Sequence, residues 1–123
     1  MQPPAIFLRF LILETLGLVE GENIIGLIRV LLPEIIHNPE MSHIPASMFQ
    51  RIFAFLGNFF EAKIASGELR QFDVSTSAQV FVGSLMGFVL RRQIIHDPLA
   101  LTYTHEQIAE AIVDLVLTGM LPR

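Results

Sequence analysis

The chain has 123 residues, of which 52% are hydrophobic and only 16% charged, with a formal net charge of −4. The absence of cysteine excludes disulfides, thiolate metal sites and cysteine nucleophiles. Eight basic residues, with only Arg91 and Arg92 adjoining, are too few and too scattered to displace counterions along a nucleic acid, so this chain alone is no nucleic-acid binder.

Strand signals are nearly absent, and helical spacing recurs five times, so the expected fold class is an all-α, five-helix bundle forming one domain over residues 1–123. The first helix is expected over about 4–19, with proline in its first turn and Ile6, Phe10, Leu13 and Gly17 along one face. After the break Glu20-Gly21-Glu22-Asn23, a second runs over about 23–37, with a kink expected at Pro33. The third, about 45–66, carries Met48, Phe49, Phe53, Phe59 and Phe60, and Gly67 supplies its left-handed stop. Asp73 caps a fourth over about 74–95, closed by His96-Asp97-Pro98. Thr104-His105-Glu106-Gln107 reads as a capping box opening the fifth, about 104–119, which Gly119 is expected to close.

So greasy a small chain implies a partner surface or a ligand cavity. The fifth helix says the same. Glu106, Gln107, Glu110, Asp114 and Thr118 make one narrow polar stripe, and the apolar remainder predicts burial on two sides. In the fourth, Ala78, Gly83, Ser84 and Gly87 allow another helix to approach closely. No membrane span is expected, because the longest apolar runs contain polar or charged residues where about 20 uninterrupted apolar residues are needed. No signal peptide is expected either, since Met1–Pro4 carries no basic side chain, and the chain reads as cytoplasmic.

Catalytic and metal patterns are weak. Glu34-x-x-His37 and Glu40-x-x-His43 match half of a di-iron motif, but they straddle Pro39 and cannot face each other across a bundle. His96 and His105 read as solvated residues near helix ends, and the Arg91–Arg92 pair as favourable charge at a helix C-terminus. There is no nucleophile elbow and no phosphate-cradling loop, so no enzyme, cofactor or metal is expected.

Taken in order, several stretches resemble the C-terminal domain of the tetracycline-repressor (TetR/AcrR) family of transcriptional regulators. They are Leu27-Ile28-Arg29-Val30-Leu31-Leu32-Pro33-Glu34, Asn38-Pro39-Glu40-Met41, and Gly67-Glu68-Leu69-Arg70 followed by Asp73, Ala78 and Gly87. The closing Leu117-Thr118-Gly119-Met120-Leu121 also follows the family manner, although Pro33 stands where the family usually has an alanine-like residue. The family's N-terminal helix-turn-helix has no counterpart here, so DNA would be reached only through an absent N-terminal domain. The resemblance implies a homodimer through a four-helix interface built from the fourth and fifth helices. Ala78, Ser84, Gly87, Arg91, Ile108, Ile112, Leu115 and Val116 are the candidate interface residues. It also implies a small hydrophobic effector, for which Phe10, Met48, Phe53, Phe60, Met86 and Val89 are candidate wall residues. Arg29 and His37 are candidate polar anchors, with Arg29 equally readable as a structural partner of Glu34. Ordinary core packing is the competing reading of the phenylalanines. The alternative function is a truncated interaction module that heterodimerises with an intact regulator.

Overall fold

The computed structural model describes residues 3–122; Met1 and Gln2, within the opening run read above for charge, lie outside them, as does Arg123. The described residues form helices and connections only, and the fold is all-α. The six helices are α1 (Pro4–Val19), α2 (Glu22–His37), α3 (His43–Ala65), α4 (Val74–Val89), α5 (Pro98–Leu101) and α6 (His105–Met120). A 3-10 turn, Pro39–Ser42, leads into α3, and α4 runs on into a π-helical turn, Leu90–Ile94.

Local chemistry sets several of these boundaries. The Asp73 carboxylate accepts from the Thr76 backbone N–H, and Thr104 with Gln107 closes a reciprocal capping box at α6. Gly67 adopts φ +82 after α3, a conformation that favours glycine. There the buried Lys63 ammonium pairs with Glu68 at 3.1 Å and stands over the Phe59 ring. Arg70 then meets the end of α6, its backbone N–H donating to the Met120 carbonyl at 2.8 Å. Its Nε donates to the Gly119 carbonyl at 2.6 Å, satisfying an orphan acceptor in the last turn of α6.

The core is built by α1, the C-terminal half of α3, α4 and α6. Leu8, Ile12 and Leu16 of α1 recur at helical spacing and are fully buried with Leu56, Phe60, Phe81, Leu85, Ile108 and Ile112. The α6 helix packs against α1 and α4, and α3 packs against α4. Residues 22–55 are different: Ile25 is the only buried residue among them. They form an arm on which Leu27, Val30, Ile36, Ile44, Met48 and Phe55 are exposed. The total accessible area, 7868 Å², exceeds by about a fifth the ~6,600 Å² that surface scaling gives a chain of this mass.

Several expectations change. On α1 the inward face is Leu8–Ile12–Leu16, whereas Ile6, Phe10 and Gly17 point out. Apolar residues surround this helix, so periodicity did not single out a face. The α2 helix, by contrast, runs through Pro33 to His37 within a residue of the expected bounds. The expected fourth helix of about 74–95 loses its last turn to the π segment, and α5 lies in the connection that follows. Gly119 does not close α6, which extends to Met120. Val74–Ile94 is long and apolar enough to cross a membrane by length and composition alone, a test that a core helix also passes. In the bundle α4 lies between α3 and α6.

Candidate functional site

The outer face of α4 is the most regular unpartnered surface of the core block. Thr76, Val80, Gly83, Gly87 and Leu90 succeed one another at 4-3-4-3 spacing, the seam spacing of paired helices. Val80 and Leu90 are exposed, and a Cβ built at Gly83 or Gly87 would meet nothing within 4 Å. Among the described residues nothing packs closely against either glycine. On α6, Leu115 is 77% exposed between Ala111 and Gly119, both exposed one turn away on either side.

Of the eight residues expected at a dimer interface, Ala78, Ile108 and Ile112 are instead buried in the chain's own core and present no surface. They lie on the sides of α4 and α6 that face each other and α1, and alternation along two nearly all-apolar helices cannot distinguish an inner from an outer side. Ser84 and Val116 are half-buried, the Ser84 hydroxyl donating to the Val80 carbonyl at 2.8 Å. Gly87 and Leu115 face outward, and Arg91 is half-exposed and paired with Asp97 at 2.8 Å. The hydrogen bond from Arg91 and that from the Leu99 backbone hold the Asp97 carboxyl below its ordinary value. Val80 and Leu90 were not singled out from sequence, although the 4-3-4-3 spacing contained them.

The eight residues expected around an effector are not gathered. Phe60 is core, in edge contact with Phe72 at 5.6 Å between centroids, and Val89 is buried in the same core cluster. Phe53 and Met86 are half-buried at its margin. Phe10 and Met48 are exposed, as are Arg29 and His37 on the arm. Arg29 and Glu34 make no ion pair among those the described residues form. An aromatic face does form between α1 and α3, where Phe7 stacks on Phe59 at 4.4 Å and lies 6.3 Å from Phe55.

An open surface groove of about 770 Å³ between α1 and α6 includes none of the eight. Its lining includes apolar Ile6, Val113 and Leu117 and charged Arg9, Glu110 and Asp114. Among the described residues no group of three or more His, Asp or Glu side chains is placed to hold a metal.

A further constellation was invisible in the sequence. Glu20, at the end of α1, has a side chain only 5% exposed and is held by Arg92 and His105. Burial works to raise this carboxyl, but the hydrogen bonds and charges of Arg92 and His105 outweigh it and hold the group below its ordinary value of 4.5. The partners lie 72 and 85 residues away, beyond the reach of any local pattern.

Residues 7–119 match the model of the family of AefR-like transcriptional repressors, C-terminal domain. No curated protein and no solved structure matches.

Proposed function

Because the chain belongs to the family of C-terminal domains of AefR-like transcriptional repressors, a TetR-type domain, we propose that it is a non-enzymatic regulatory domain that pairs with a second copy of itself through α4 and α6. The observation that carries this reading is the α4 seam, Thr76–Val80–Gly83–Gly87–Leu90, apolar or small throughout and vacant at both glycines. Two glycines inside one helix cost about 1 kcal/mol each against alanine. Nothing within the chain offsets that cost, whereas a helix seated against them would. Leu115 adds an exposed apolar side chain on α6.

The domain's second role is to bind a small hydrophobic effector in the cytoplasm. The aromatic face of Phe7, Phe55 and Phe59 between α1 and α3 supports that reading, since apolar rings with few polar anchors suit such ligands. Contact with DNA belongs to a helix-turn-helix outside the present chain. Heterodimerisation with an intact regulator would use the same seam.

Gly87→Leu tests the pairing, because its effects within one chain and across the seam differ. Within one chain the added Cβ meets nothing within 4 Å and helix propensity improves, so the folded protomer is expected to be about as stable as before. Across the seam it acts as a wedge. Light scattering is expected to show a wild-type dimer and a Gly87→Leu monomer that still unfolds cooperatively, with a midpoint that no longer depends on protein concentration. A wild-type monomer at micromolar concentration contradicts the proposal.

A further inference from the structure

The Glu20 cluster joins parts of the molecule that are distant in sequence. Arg92 Nε donates to Glu20 Oε1 and Oε2 at 3.2 and 2.9 Å, and its Nη1 donates to the Ala100 and Tyr103 carbonyls at 2.9 and 2.6 Å. His105 Nε2 lies 2.8 Å from Glu20 Oε1. One buried Arg–Glu pair thus gathers the end of α1, the π turn after α4, α5, and the first residue of α6.

The chain turns into the arm immediately after Glu20. At Gly21 an added Cβ would stand 3.2 Å from the Leu18 carbonyl oxygen, so the corner is tight, and a crevice of about 380 Å³ opens beside it. Beyond that corner α2 is fastened to the block by little more than Ile25. The residue that precedes the loosely held arm is therefore the one most firmly held by the loop between α4 and α6.

Burial decides how such a cluster responds to force. The nearby Arg91–Asp97 pair has side chains 38% and 30% exposed, so water replaces either partner at little cost. Glu20 and Arg92, at 5% and 12%, cannot separate without stranding a charge away from water. The exposed pair can break; the buried cluster must shift as a unit.

We propose that the Glu20–Arg92–His105 cluster is a mechanical link that carries a displacement of α2 at the Gly21 corner to the start of α6, and from there to the α4/α6 face. The first step stands on the cluster's geometry alone; the last rests on the dimer reading above.

The test perturbs one end and reads the other. In the full chain, His105→Leu removes a donor to Glu20, while His105→Gln keeps an amide able to donate. Hydrogen exchange is followed over Ile25–Ile28 of α2, under conditions where circular dichroism shows all proteins fully folded. His105→Leu is expected to speed exchange there by about fivefold or more, and His105→Gln to stay within about twofold of wild type. Equal rates in all three, or acceleration confined to the first turn of α6, overturn the link. Glu20→Asp reads the reverse direction, with faster exchange expected at Gln107–Ala109; an unchanged rate there also overturns it. Sedimentation then judges the last step. Weaker association of His105→Leu supports it, and unchanged association of that dimer refutes it. A wild-type monomer would sink the dimer reading and its dependent step, leaving the exchange data to decide the link itself.

Discussion

Two regions of this chain have much the same greasy composition and opposite fates. In the block of α1, α4, α6 and the second half of α3, leucine, isoleucine and phenylalanine side chains are buried on three sides of a shared core. In the arm, residues 22–55, equally apolar side chains such as Leu27, Val30, Ile36 and Met48 stand in water. Hydrophobic content alone therefore does not make a core. What differs is whether neighbouring helices lie close enough to exclude solvent from both sides. The block supplies the fold, and the arm supplies apolar surface that folding of one chain does not use.

The sharpest way to break this contrast is to cut the same kind of side chain from each region. Phe60→Ala, in the block, is expected to lower unfolding free energy by about 3–5 kcal/mol, because it leaves a cavity among Phe59, Phe72 and Leu56. Met48→Ala, on the arm, is expected to change it by no more than about 0.5 kcal/mol. Urea unfolding reads both, and comparable losses would show that the arm is part of the core.

Between these extremes lies Glu20, at the boundary of the two regions. Its folded-state carboxyl titrates below the ordinary value of 4.5, so it contributes stability above that pH and loses it as pH falls through the folded value. Glu20→Gln lacks the contribution at every pH. The gap in unfolding free energy between wild type and Glu20→Gln is therefore expected to be widest near neutrality and to close on acidification below about pH 4.5. A gap that stays constant from neutral to acid pH would show that charge plays no part in holding the corner.

How legible was this from the sequence? Helix punctuation was plain wherever a single residue type carries the physics: Asp73 and Thr104 at N-termini, and Gly67 at φ +82. Facing was legible for the polar stripe of α6, where Glu110 and Asp114 stay out of the core. It failed for α1 and for Ala78, Ile108 and Ile112, because an all-round apolar helix can be rotated without changing its pattern. The Arg91–Arg92 pair shows the other kind of failure. Read locally, both arginines decorate a helix terminus. In the fold Arg91 does stay local, on Asp97, but Arg92 turns inward to a carboxylate 72 residues earlier. Long-range charge pairing leaves no spacing to read. For the effector site the nominated residues scatter across core, margin and arm, since aromatic character marks apolar packing without saying which side of a phenylalanine is vacant.

The central claim, that a second copy covers α4 and α6 while the arm stays open, is tested most directly by hydrogen exchange on the wild-type protein at two concentrations, above and below its dimer dissociation constant. Dilution is expected to speed exchange in α4 and α6 and leave the arm equally fast at both. Exchange in α4 and α6 that ignores concentration, or an arm that alone gains protection as concentration rises, would contradict it.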